Sequence, residues 1–207
     1  HGFISPVMKM FRPNMVINTT LPKKQKYEPY IPTTEEVKQV LEMSKGTQYH
    51  IPFQLGILGM RRSEICALTI DDVNNNTIRI NKALVNDDNK KWVIKPTPKT
   101  EESNREIYIP DALAKEITET GYIYVGFPNM LLKALHRYQK KLGIHSFRFH
   151  DLRHFYASYA HNMGMSDADI MKSGGWKSDH VMKNVYRHAM KESLQDQQAK
   201  IASGILS

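Results

Sequence analysis

The feature that most constrains this chain is a change of period. From residue 33 the apolar residues fall at helical spacing. Near residue 77 they begin to alternate with polar ones, and after Pro110 the helical spacing returns and persists. Thr33, with Glu36 three residues on, predicts a capped helix start, followed by Val37, Val40 and Leu41 on one face. HIPFQLGILGM at 50–60 predicts an almost wholly apolar helix, and Ser63 is the expected N-cap of a third. Ile78 and Ile80, WVI at 92–94 and REIYI at 105–109 read as strands of one small antiparallel sheet of three strands. Helices are expected at about 111–119, 129–142, 151–163, 166–173, 179–188 and 190–203. The expected class is mainly α with a small three-stranded antiparallel sheet, an α+β arrangement.

The ends read differently. HGFISPVMKMFRPNMV is apolar but broken by Pro6 and Pro13, and LPKKQKYEPYIP has the composition of a stiff, extended linker. The chain begins at His1 without a signal-peptide pattern, which reads as a cut inside a longer protein. Residues 1–32 are therefore expected to be the end of a preceding domain plus a tether, 33–190 the main domain, and 191–207 a polar tail helix. No apolar run reaches the length of a membrane span. The single cysteine, Cys66, excludes an intrachain disulfide and reads as a small core residue. Twenty-nine Lys and Arg against 21 Asp and Glu leave a formal charge of +8, which favours a polyanionic partner such as nucleic acid.

Several basic residues sit at helix starts and turns, where a cation lies near the core and needs an anion. Arg61 lies in GMRRSE between two apolar helices; alone it would pair with Glu64 or Asp71. Lys99 is at the tip of the 92–109 hairpin, where a lysine is ordinarily only solvated. His150 and Arg153 in HDLRH share a helix face, as do His150 and His154. Such a cluster can hold a structural carboxylate, a metal or an anionic substrate. Zinc needs a third ligand, and no HExxH pattern supplies one. Trp176 follows a Gly-Gly turn and Tyr186 follows ten residues later; alone, each reads as an aromatic packed in a core.

In order, G-x-R-x-S-E around Arg61, Lys99 in a Pro-Lys-Thr turn, H-x-x-R at 150–153, Gly-Trp at 175–176 and Y-x-H at 186–188 resemble the catalytic domain of the tyrosine recombinases, the integrases of phages and transposons. The resemblance covers roughly residues 31–190, and 1–30 is similar to the end of that family's core-binding domain and its linker. It implies six catalytic residues: Arg61, Lys99, His150, Arg153, Trp176 and Tyr186. Two arginines would clamp the scissile phosphate, since a planar guanidinium grips two oxygens at once. His150 would donate to it or act as base, and the Trp176 indole can only donate. Tyr186 would be the nucleophile, activated by that positive field because its free pKa is about 10. Lys99 would protonate the leaving 5′-oxygen. Lys95 and Arg62 compete with Lys99 and Arg61; the Lys-Thr turn and the motif register favour the latter. Asp151, His154 and His188 are assigned supporting roles. Most members of the family carry histidine where Trp176 stands.

The resemblance further implies a site-specific recombinase or integrase of a bacterial mobile element, working without cofactor or metal through a 3′-phosphotyrosyl intermediate. Its partners would be double-stranded attachment-site DNA, further protomers in a DNA-bound tetramer, and optional DNA-bending accessory proteins, with no membrane, in the bacterial cytoplasm. In the family, such tails dock on the next protomer. A type IB topoisomerase shares the chemistry, and an inactive DNA-binding module is a third reading, against which all six positions are filled.

Overall fold

The computed structural model describes residues 4–14, 30–96, 104–178 and 182–183. Helix α1 (Ile4–Phe11) buries none of its residues. Helix α2 (Thr34–Ser44) starts at the expected capping box: the Glu36 N–H donates to Thr33 Oγ1 (3.2 Å) and the Thr33 N–H to Glu36 Oε2 (2.8 Å). Helix α3 (His50–Ile57) is the most apolar, with Phe53 and Leu55 fully buried. It ends before 60 because Gly59 takes a left-handed backbone (φ +87°), which few other residues adopt. Helix α4 (Arg62–Ile65) is one turn long and its N-cap is Arg61, not Ser63. The reason is electrostatic: the Glu64 carboxylate takes the Arg61 N–H at 2.8 Å and does the capping from inside the turn.

The strands form two sheets where one was expected. Strands β1 (Val73–Asn74) and β2 (Thr77–Ile80) and strand β5 (Arg105–Tyr108) make a three-stranded antiparallel sheet in the order β1-β2-β5, with Ile78 opposite Ile107. The 92–94 strand belongs elsewhere: β4 (Trp92–Pro96) pairs with β3 (Lys82–Asn86) in a separate hairpin, Asn86 opposite Trp92. Strand β3 escapes a reading by alternation because Lys82, Ala83, Leu84 and Val85 are all half-buried, with no inward and outward faces to tell apart. The hairpin turn is set by Asp87, whose carboxylate accepts the N–H groups of Asn89 (2.9 Å) and Lys91 (2.8 Å).

Four helices complete the described fold: α5 (Asp111–Thr120), α6 (Pro128–Leu142), α7 (Phe149–Asn162) and α8 (Asp167–Gly174). Each lies within two residues of its expected position. The helices expected at 179–188 and 190–203 lie almost wholly outside the described residues. Helix α3 packs against α7, α2 against α6, and α8 against both α7 and β5. The main core joins Phe53, Leu55, Ile65, Ile78, Leu131 and Phe149. A smaller cluster gathers Ala157, Ala160, Ile170, Trp176 and Met182 under α8. Cys66 is half-buried against the main core, and burial pushes its thiol up to about 12. Among the described residues no helix is long and apolar enough to cross a membrane.

Candidate active site

Three arginines from distant parts of the chain converge at one turn. Helix α8 ends at Gly174, and Gly175 follows in a left-handed conformation (φ +69°). The turn exposes three successive carbonyls, the negative end of the helix dipole. Arg105 Nε donates to Ser173 O (2.8 Å), Arg153 Nη1 to Gly174 O, and Arg61 Nη2 to Gly175 O (2.6 Å). Arg153 also donates to Gly59 O (2.6 Å), at the other glycine turn. The second glycine supplies the positive φ. The first leaves room for Trp176, whose ring lies where a Cβ on residue 174 would be.

Glu64 holds the arrangement from below. Its Oε1 accepts from Arg61 Nη1 (2.6 Å) and Arg105 Nη1 (3.1 Å); its Oε2 accepts from Arg105 Nη2 (2.9 Å) and the Arg61 N–H (2.8 Å). Burial raises the Glu64 pKa, but the hydrogen bond and charge of Arg105, joined by Arg61, outweigh it and hold the carboxyl below its ordinary range. Among the described residues three guanidiniums thus face one carboxylate, an excess of two positive charges. Arg153 registers the excess: burial and the like charges of Arg61 and Arg105 pull its pKa down to about 9. Arg153 is buried, while the Arg61 side chain is 38% exposed. The charge can therefore be reached from solvent through Arg61.

His150 and Arg153 both rise from the first turns of α7. The helix start is held by Asp151, whose carboxylate accepts the Arg148 N–H (2.7 Å) and pairs with the Arg148 guanidinium (2.8 Å). His150 is exposed beside Arg61 in a cavity of about 600 Å³, which is also bordered by Arg62, Arg148 and Trp92. Partial withdrawal of its ring from water lowers its pKa. Arg153, Arg148 and Arg61 lower it further, against the opposing pull of Asp151. The net shift favours the neutral imidazole. His154 meets His150 edge to face (4.8 Å between centroids) and is buried, with no hydrogen-bond partner for its Nδ1 among the described residues.

Trp176 is buried, and its ring faces the Arg153 guanidinium at 3.7 Å. Tyr156 runs parallel to it at 6.5 Å. The tryptophan therefore has the packing assignment and the arginine neighbour at once. Of the six residues expected in the site, Arg61, His150, Arg153 and Trp176 are brought together. Lys99 and Tyr186 lie outside the described residues, as does His188. Met182, four residues before Tyr186, packs beside Trp176. Lys95 is exposed on β4, opposite Ala83. Among the described residues no group of three His, Cys, Asp or Glu side chains could hold a metal ion.

One residue of the cluster, Arg105, was missed. The signal was present: along β5 it has the same parity as Ile107 and Ile109, so an inward face for those two turns an arginine inward as well.

Comparisons with known proteins bear on the family and the fold. The phage integrase family model matches residues 31–193. The integrase of Salmonella phage P22 is 36% identical over 64 residues, which span 31% of this chain and 16% of that protein. The Tn1549 transposon integrase, solved in complex with transposon right end DNA, superimposes with a TM-score of 0.65 at 19% identity, covering 86% of this chain and 68% of that one. The XerA recombinase also gives 0.65, at 18% identity over 94% of this chain and 72% of its own. At these identities the structural likeness is one of fold, and it is the fold of the tyrosine recombinase catalytic domain. With the family model matching across the arginine cluster and the helices that build it, this chain belongs to the phage integrase family.

Proposed function

We propose that the protein is a site-specific DNA recombinase of a bacterial mobile element, which cleaves and rejoins strands through a 3′-phosphotyrosyl link. The observation that carries this reading is the charge balance at the α8 turn. Arg61, Arg105 and Arg153 against Glu64 leave two positive charges, the complement of a phosphodiester crossing a dianionic transition state. A site preorganised this way stabilises charge as it develops, and guanidiniums alone can supply it.

In this reading the Tyr186 phenol attacks the scissile phosphorus and its proton passes to neutral His150. The bond to the 5′-oxygen breaks, and that oxygen takes a proton from Lys99. Arg61 and Arg153 hold the non-bridging oxygens. Trp176 fixes the orientation of the Arg153 guanidinium by stacking against it. Attack by another strand's 5′-hydroxyl reverses the step, so the energy of the broken bond is kept in the tyrosyl ester. Residues 33–190 form the catalytic unit. Residues 1–32 end a preceding DNA-clasping domain and its linker, and 191–207 form a tail for a neighbouring protomer in a DNA-bound tetramer. The partner is double-stranded attachment-site DNA, with DNA-bending proteins as accessories, in the bacterial cytoplasm. The complex of the Tn1549 integrase with transposon end DNA supports this partner.

The test is covalent capture. The protein at its natural full length is mixed with a nicked duplex that spans the junction of its source element, in excess EDTA. Loss of the short fragment beside the nick traps the enzyme on the DNA. An adduct that survives SDS, maps to Tyr186 and is absent from Tyr186→Phe is expected. An adduct that persists in Tyr186→Phe overturns the nucleophile. Tight specific binding with no adduct at all overturns the catalytic reading.

A further inference from the structure

We infer that Arg105 is a positioning residue of the phosphate site, acting through Glu64 and the Ser173-Gly174-Gly175 turn to set Arg61 beside Arg153. The inference rests on the recombinase reading above and adds a residue to its machinery.

Arg105 ties three separate elements together. It starts β5, grips α4 through both oxygens of Glu64, and reaches the end of α8 through Ser173 O. Its partners are 41 and 68 residues away in sequence, so no local propensity explains them. The side chain is 3% exposed, as is appropriate for a fork whose every contact is internal. All three of its guanidinium nitrogens are engaged by Glu64 and Ser173 O, so it acts through those groups and not on the phosphate itself.

Two consequences follow from this geometry. Glu64 presents each oxygen to both Arg61 and Arg105; without Arg105 the carboxylate is free to rotate toward Arg61 and draw it out of register. Ser173, Gly174 and Gly175 are consecutive, so a shift of Ser173 moves the carbonyls that hold Arg153 and Arg61 together. One residue therefore controls the spacing of the two phosphate-gripping groups. A displacement on the order of 1 Å at such a site is enough to cost about a hundredfold in rate. Lysine cannot replace it: a single ammonium on a flexible stem cannot span both Glu64 oxygens and the Ser173 carbonyl.

The test uses the full-length protein and the nicked duplex described above, in single-turnover cleavage. Arg105→Lys is expected to slow adduct formation by roughly 10- to 100-fold per folded molecule. The Kd for the same DNA should change by less than about threefold, since phosphate contacts on the surface are untouched. A purely structural role would lower the melting temperature and the folded fraction but leave the rate per folded molecule unchanged. In an Arg61→Lys background, Arg105→Lys should add less than about threefold, because both act on one group. A wild-type cleavage rate in Arg105→Lys, or a full multiplicative loss on top of Arg61→Lys, overturns the inference alone. Should Arg105→Lys not fold, Glu64→Asp withdraws the same carboxylate and must give the same selective loss of rate, or the inference falls. Failure of the wild type to form any adduct overturns the recombinase reading and this inference with it.

Discussion

Two buried regions of this molecule treat burial in opposite ways. Between α3 and α7 the chain buries Phe53, Leu55, Phe149 and Leu152, with ring centroids of Phe53 and Phe149 6.0 Å apart. Nothing there needs a partner beyond shape, and every apolar surface removed from water is a gain. Beneath the α8 turn the chain buries Arg105, Glu64 and Arg153, and leaves the charges unequal. Desolvating charge is costly even when paired, and an excess of like charge adds repulsion. The first region holds the fold together. The second is held together by the fold, and its surplus of like charge is what an arriving anion would offset.

The widest separation between the two is expected from truncation at their centres. Phe53→Ala removes a fully buried ring and should cost about 3–5 kcal/mol of stability, lowering the melting midpoint by roughly 10 °C in a domain of this size. Adduct formation per folded molecule should be unchanged. Arg153→Gln should do the reverse. Thermal unfolding is expected to stay within about 1 kcal/mol of wild type, because a buried charge in surplus has gone. Cleavage should fall by about 10²–10³, the loss typical of one preorganised donor to a developing charge. Equal losses of stability in the two variants would erase the distinction.

The same contrast explains what could be read in advance. The apolar region was legible because helical spacing marks it directly: Val37, Val40, Phe53 and Leu55 announce their burial by type. Arg61, His150 and Arg153 were singled out through their motifs, and the fold brings them together. Arg105 was not, since a charged residue that opens a strand reads as an exposed end until its parity with Ile107 is noticed. Strand β3 was hidden for a related reason. A hairpin half-buried on both faces has no alternation, and the pairing of 92–96 with 82–86 is a tertiary choice that local pattern does not encode. Ser63 lost its capping role to Arg61 because the Glu64 side chain, fixed by Arg105 from across the fold, captures the helix start first.

A smaller effect should appear on acidification. His154 is buried beside His150, and burial together with that neighbour pushes its pKa down to about 4. Its ordinary value is about 6.5, so between these values the unfolded chain binds a proton that the folded chain refuses. Stability is then complete above pH 6.5 and declines as the pH falls toward 4, by at most about 3 kcal/mol, below which the loss saturates. His154→Gln should flatten the melting curve over that window. The further acid loss from Glu64 and Asp72, whose carboxyls are held low by their cationic partners, begins only below the ordinary carboxylate range and should survive the substitution. An unchanged pH slope in His154→Gln would mean that other groups set it.

The smallest effect bears most directly on the unequal charge. If two positive charges at the α8 turn await an anion, inorganic sulfate should stabilise the DNA-free protein by mass action. At ten times its Kd the gain is about 1.4 kcal/mol, a few degrees in the melting midpoint. Sulfate also stabilises proteins generally by exclusion from their surfaces, and salt screens repulsion wherever it occurs. The specific part is therefore the difference between wild type and Arg61→Gln/Arg153→Gln, titrated with sulfate and with chloride at equal ionic strength. The general effects act on both proteins alike. Saturable stabilisation in the wild type alone would identify the arginine cluster as an anion site before any DNA is added. Parallel curves would mean that Glu64 and the three turn carbonyls already neutralise the guanidiniums, and that the cluster is as self-sufficient as the apolar core.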